Sequence, residues 1–160
     1  SLSSGSVVLD LGGSTLTGGT GLADGNWHHL AMTWRSQDGQ VELFVDGERR
    51  ATTQLAQGHS FQAGGAFVVG QEQDNFGGGF QSTQALDGYV DEFRIYDRVL
   101  SAEEISQQTQ WAYTNNVGLK VALSFDESEG VLALDGTGQA NHAILSNVGR
   151  AASCPPVITP

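Results

Sequence analysis

The chain has 160 residues, room for one domain, and with 39% hydrophobic against 16% charged residues it is no disordered charged tail. Seven Lys+Arg face 18 Asp+Glu, a net charge of −11 that repels phosphate backbones and anionic lipid surfaces and argues against a nucleic-acid partner. No run approaches the about 18 apolar residues of a membrane span, so no membrane insertion is expected.

The acidity is dispersed rather than in runs, which suits either the collection of divalent cations or solubility in a salty exterior. The N-terminus carries neither a starting Met nor a basic-plus-apolar leader, so the sequence reads as part of a longer protein. The lone Cys154, beside Pro155 and Pro156, has no internal disulfide partner. It is either a spare thiol or a bridge to another segment.

Taken in chain order, the first hundred residues are short apolar runs punctuated by glycine and Asp-Gly, the pattern of an antiparallel sandwich. Val7 to Leu11 and Leu16 flank a Gly12-Gly13 hairpin. Asp24-Gly25 precedes a run from Trp27 to Trp34. Val41, Leu43 and Val45 then share one face of a strand closed by the Asp46-Gly47 hairpin. Phe67-Val68-Val69 reads as a further buried strand. From Tyr89 to Tyr96 the pattern alternates again, with Asp91 on the same face as Tyr89, Phe93 and Ile95, where a buried carboxylate needs partners.

Ser101-Ala102-Glu103-Glu104 has the form of a capping box and predicts one short helix, extending to about Tyr113. After a break at Thr114-Asn115-Asn116, the alternation of Leu119, Val121, Leu123 and Phe125 predicts a new strand, and Asp135-Gly136 and Gly138 divide the rest. The tail is therefore sheet-forming rather than a linker.

The segment richest in chemistry runs from Gly70 to Gln84. Calcium takes six to eight hard oxygen ligands from carboxylates, amides and backbone carbonyls, and a glycine-bracketed loop can wrap such a sphere. Glu72, Asp74, Asn75, Gln81 and Gln84 offer that chemistry, although such a loop can equally be a solvated turn. Phe76 and Phe80 would supply either an apolar wall for a ligand or core. His28 and His29, as neighbours on a strand, point to opposite faces and are read as structural rather than as a metal pair. Glu42, Asp46 and Glu48 resemble a glycosidase cluster, yet Glu42 and Asp46 lie about 13 Å apart along an extended strand, beyond either catalytic spacing.

The run QEQDNFGGGFQSTQ, followed by Leu86-Asp87-Gly88-Tyr89-Val90-Asp91-Glu92-Phe93 and Leu100-Ser101-Ala102-Glu103-Glu104-Ile105, resembles the pentraxin signature region. With Trp27-His28-His29-Leu30 and Phe44-Val45-Asp46-Gly47, the likeness extends over about residues 5–112 to pentraxin and laminin-G-like domains of the concanavalin A-like lectin/glucanase superfold. The resemblance implies an all-β antiparallel jelly-roll sandwich with one short helix. It also implies calcium as cofactor, held by Glu72, the Gln73 carbonyl and Asp74, with Gln84 on a second ion. At position 81 the family pattern has a carboxylate, and Gln81 removes that charge, which favours one ion over two. Asn75, Phe76 and Phe80 are the candidate ligand contacts.

Two features depart from the family order. The Asp-Asn pair that pentraxins contribute from an earlier strand has no counterpart here. Residues 118–145, including Ser124-Phe125-Asp126-Glu127 and Asn141-His142-Ala143-Ile144-Leu145, resemble instead the start of a laminin-G-like domain placed after its end. Residues 1–115 thus resemble the C-terminal half of one jelly roll. Residues 116–160 supply strands packed into the same domain by circular permutation or abridgement, or else begin another. In the first arrangement Asp126, Asp135 or Asn141 is available to complete the metal sphere.

No nucleophile triad, phosphate loop or zinc spacing is present, so the chain is expected not to be an enzyme. The resemblance implies a calcium-dependent module binding a carbohydrate or phosphate ester at the cell surface or outside the cell, within a larger secreted or surface protein. The alternatives are an adhesive spacer with architectural calcium or none, and a polysaccharide hydrolase.

Overall fold

The computed structural model describes residues 2–3, 5–11, 13–61, 64–71, 73–110 and 115–151. Gly12, Tyr113, Thr114 and Cys154, all used in the sequence reading, lie outside them. The protein is an all-β sandwich with one short α-helix. Among the described residues ten strands run in the order β1 (Leu2–Ser3), β2 (Ser6–Leu11), β3 (Ser14–Gly18), β4 (Leu30–Arg35), β5 (Gln40–Val45), β6 (Glu48–Gln54), β7 (Phe93–Tyr96), β8 (Leu119–Leu123), β9 (Leu132–Ala133) and β10 (Ala143–Ile144). They form four antiparallel sheets, β1-β2-β3, β4-β5-β6, β7-β8 and β9-β10.

The hairpins are where turn chemistry places them. Asp46, at φ 53°, and Gly47, at φ 80°, occupy the left-handed positions of the two-residue turn between β5 and β6. A Cβ on Gly47 would lie 3.1 Å from the Cα of Ser106, because helix α1 (Ala102–Gln108) packs directly over this turn. The hairpin β2-β3 lies just as closely on the other face. A Cβ at Gly18 would come within 2.9 Å of the Ala51 Cβ, and one at Gly19 within 2.8 Å of the Val45 Cγ2.

The expected alternation of β5 holds. Val41, Leu43 and Val45 are buried, and on the opposite face Phe44 packs with Leu100 and Ile105 in a cluster flanked by Ala31 and Tyr96. Helix α1 is held in register by its cap: the Ser101 hydroxyl accepts from the Glu104 amide at 3.2 Å, and the Glu104 carboxylate accepts from the Ser101 amide at 2.8 Å. Its only fully buried side chain is Ile105. The helix therefore serves as a lid over Phe44, whose removal to Ala would cost about 3–5 kcal/mol.

Five expectations change. Helix α1, expected to run to about Tyr113, ends at Gln108, where the hydroxyl and amide of Thr109 both turn back to the Ser106 carbonyl. The run Phe67-Val68-Val69 is not a buried strand: Phe67 is 70% and Val69 41% exposed. Among the described residues no strand pairs with it, so its backbone has no ladder to join, and Phe67 instead meets Phe93 at 5.3 Å between ring centroids. The strand expected from Trp27 begins only at Leu30. Asp24 accepts from the Asn26 amide at 2.8 Å and holds the preceding segment in a turn. Tyr89 is exposed and the strand starts at Phe93, because Glu92 at φ 51° interrupts the extended backbone. β8 likewise ends at Leu123, two residues before Phe125 at φ 57°.

Segment 115–151 joins the rest through β7 and β8, paired from Phe93↔Leu123 to Tyr96↔Leu119 with a bulge between Ile95 and Tyr96. Inside this segment Asp135 is a buried hub. One carboxylate oxygen accepts from the amides of Ala122 and Thr137, both at 3.0 Å, and the other from the Thr137 hydroxyl at 2.7 Å and the Asn141 amide at 3.1 Å. Burial opposes its ionisation, but these donors outweigh it and hold the carboxyl well below the usual carboxylate range.

Candidate functional site: the loop from Gly70 to Leu86

The loop is closed at its base by the Leu86 amide donating to the Gly70 carbonyl at 2.8 Å. Farther out, the Gln71 side chain donates to the Gln81 carbonyl at 3.0 Å. At its tip Asn75 and Gly78 exchange both backbone hydrogen bonds, at 3.2 and 3.0 Å, around Phe76 and Gly77. Gly79 completes the return at φ 76°. A Cβ there would lie 2.7 Å from the Asp74 Cβ and 3.0 Å from the Asn75 Nδ2, so only glycine lets the returning chain pass beside Asp74. Ser82–Gln84 then form one 3-10 turn.

This framework brings Asp74 and Gln81 together, with the Gln81 Nε2 donating to the Asp74 carboxylate at 3.0 Å. The Gln73 side chain is spent inside the loop: its Nε2 donates to the Ala66 carbonyl at 2.9 Å and its Oε1 accepts from the Gly77 amide at 3.0 Å. Asn75 is exposed, as are Phe76 at 77% and Phe80 at 50%, so neither ring is core. Gln84 is also exposed. Glu72 lies outside the described residues. Among those described, no three His, Cys, Asp or Glu side chains converge as a metal site. The donors Asp74, Gln81 and Gln84 are all hard oxygens, with neither thiolate nor imidazole among them, and that chemistry fits calcium rather than zinc.

Asp135 and Asn141 are engaged elsewhere, Asp135 as the hub above and Asn141 through its Nδ2 to the Lys120 carbonyl at 2.9 Å. Asp126 lies near Asp91 and Glu92. Burial raises the pKa of Asp91 and of Glu92, and the charge of Asp126 adds to both shifts, while Arg94 partly offsets that of Glu92. The sequence flagged Asp91 as needing partners but gave no sign that a carboxylate 35 positions later would face it.

The two histidines diverge as expected. The His28 Nδ1 bonds to Asp46 at 2.8 Å and its Nε2 to Asp24 at 3.2 Å. His29 is turned inward, and its Nδ1 is buried without a hydrogen-bond partner. The three acidic groups of the glycosidase-like pattern are each in an ion pair: Glu42 with Arg49 at 2.6 Å, Asp46 with His28, and Glu48 with Arg50 at 3.1 Å. None stands poised as an acid or nucleophile beside another.

The family model of the Pentaxin family matches residues 5–133. The chain belongs to that family. Neuronal pentraxin-2 of Mus musculus is 48% identical over 85 residues, covering 52% of this chain and 20% of that protein. Pentraxin-related protein PTX3 of Mus musculus is 44% identical over 109 residues, covering 65% of this chain and 29% of that protein. The match thus spans about a fifth of the length of neuronal pentraxin-2. Among solved structures, the native heptameric SAP-like pentraxin from Limulus polyphemus superposes with a TM-score of 0.62 at 24% identity, over 89% of this chain and 66% of that one. A putative carbohydrate binding protein from Bacteroides ovatus gives 0.64 at 22% identity, over 82% and 38%. Both agree with this chain in fold.

Proposed function

We propose that this chain is a lectin-like, calcium-dependent recognition module of a larger extracellular or cell-surface protein, not an enzyme. Its ligand is a carbohydrate or phosphate ester. The observation that carries the reading is the glycine-framed loop, which presents an exposed Asp74 bonded to the Gln81 side-chain amide, together with two exposed phenylalanine rings. Membership of the Pentaxin family and the fold shared with a carbohydrate binding protein support it.

Glu72, the Gln73 carbonyl, Asp74 and Gln84 would hold the ion, with Gln81 as a neutral donor. Calcium, when bound, would supply a hard cation that attracts the oxygens of the ligand. Locking the Gln73 side chain by two bonds leaves its carbonyl as that residue's contribution. Asn75 provides hydrogen bonds to the ligand, and Phe76 and Phe80 an apolar wall. The described part of segment 116–160, up to residue 151, completes the same domain, as the β7-β8 ladder supports.

One observation favours a second reading, an adhesive spacer: Gln81 satisfies Asp74 without any cation, so the loop closes on its own. Thermal melting across a calcium titration, followed by EGTA-reversible retention on immobilised glycans and phosphocholine, separates the two. Stabilisation together with retention is expected. Stabilisation without retention leaves the spacer, and an absence of both removes calcium from the account.

A further inference from the structure

The β4-β5-β6 sheet carries a groove of about 360 Å³ on the side where helix α1 sits, in the size range of small-ligand clefts, about 300–1,000 Å³. The helix covers Phe44 at one end of this face. Beyond it run two cross-strand rows, Thr33 beside Glu42 beside Thr52, with Thr33 buried, and Arg35 beside Gln40 beside Gln54. The bulge between Leu43 and Phe44 moves the register of β6 by one residue, so Arg49 pairs with Phe44 and joins Thr52 on this face despite its opposite parity. Arg50 is thereby sent to a separate cleft beside His28.

The charges in the groove are unevenly presented. Arg35 closes its fork on Asp38 with bonds of 2.9 and 2.6 Å. Arg49 gives one N–H to Glu42 at 2.6 Å and is 57% exposed, whereas the Glu42 side chain is 22% exposed. A guanidinium therefore faces outward over a recessed carboxylate, in a chain of net charge −11. The floor is made of amide and hydroxyl groups, with Gln40 donating to the Thr52 hydroxyl at 2.6 Å, and among the described residues Val99 is the only apolar one in the lining. An aliphatic or aromatic acid would find no apolar wall here, but a hydroxyl-rich one finds donors and acceptors throughout.

We propose that this groove is a second, calcium-independent ligand site, taking a saccharide that carries a carboxylate. The carboxylate engages the outward edge of Arg49, and the ring hydroxyls exchange hydrogen bonds with Gln40, Glu42 and Thr52. No described residue of the loop from Gly70 to Leu86 lines it, so the site stands or falls apart from the calcium reading.

The test is titration calorimetry of the full chain in EGTA, with trigalacturonate and with its neutral methyl ester as probes. Trigalacturonate should bind about tenfold more tightly than the ester, as one charge-assisted contact implies. Arg49→Gln should remove that preference and Asp74→Asn should keep it, with the melting temperature of each variant recorded to show that it folds. Equal binding of the two probes, survival of the preference in Arg49→Gln, loss of binding in EGTA, or no binding at millimolar probe would each overturn the proposal.

Discussion

His28 and Asp46 are joined by a 2.8 Å bond from the imidazole Nδ1 to a carboxylate oxygen, while the other carboxylate oxygen accepts the His29 amide at 2.9 Å. The second imidazole nitrogen meets Asp24 at 3.2 Å. A ring nitrogen facing an ionised carboxylate must donate, so two carboxylate partners favour the imidazolium form. The bond to Asp46 raises the His28 pKa above its ordinary 6.5, burial opposes the shift, and Asp24 adds to it. Because the folded value lies above the unfolded one, the stabilisation is complete below about 6.5 and fades as pH rises through the folded value. Asp46→Asn should bring the NMR titration midpoint of His28 down toward 6.5 and flatten the alkaline fall in melting temperature.

His29 should titrate in the opposite direction. Burial lowers its pKa; the charge of Asp46 opposes the shift, Arg94 adds a smaller lowering effect, and a hydrogen bond with Gln108 pulls the other way. A folded value below the unfolded one means that protonation, as pH falls below about 6.5, erodes stability. His29→Gln should therefore lessen the loss of melting temperature between neutral pH and about 5, whereas His28→Gln should not. Parallel melts of the two variants check this, and slopes of the same sign would count against the assignment.

The metal reading makes a signed prediction at position 81. The Gln81 amide now bonds Asp74, so an incoming cation must displace it. Gln81→Glu should raise calcium affinity on the order of tenfold by adding a charged oxygen, and Asp74→Asn should lower it by at least as much. Gly79→Ala should weaken binding too, since its Cβ would strike Asp74. Calcium titration by calorimetry ranks all four proteins, and an unchanged constant for Asp74→Asn would refute the site.

Asp135 ties β8 to the turn that follows it. Asp135→Ala leaves four donors to find water and should lower the melting temperature by roughly 5 °C or more. Amide exchange at Ala122 should accelerate with it, while exchange in β5 stays slow. Loss of the helix cap through Ser101→Ala should cost about 1 kcal/mol, read by denaturant unfolding.

Local chemistry explains what the sequence could disclose. The Asp46-Gly47 hairpin, the Ser101/Glu104 cap and the alternation of Leu119 to Leu123 each depend on neighbours within a few residues, and each is where the pattern puts it. Phe67-Val68-Val69 looked like a strand because three apolar residues in a row carry no information about whether a partner strand is available. The bulge at Leu43/Phe44 has no local marker either, so the presence of Arg49 and Thr52 on one face was illegible. In the loop, resemblance identified Gln81 as a lost carboxylate, but not that its amide would occupy Asp74.

The β7-β8 ladder also has a mechanical meaning. The chain enters it at Phe93 and leaves it at Leu123, and these two residues are paired with each other. Tension applied along the chain therefore pulls both strands apart from the same end, one rung at a time, rather than sliding all rungs together. Such a junction yields by unzipping at low force. Leu123, which also bridges Asp135, is the first rung to carry the load.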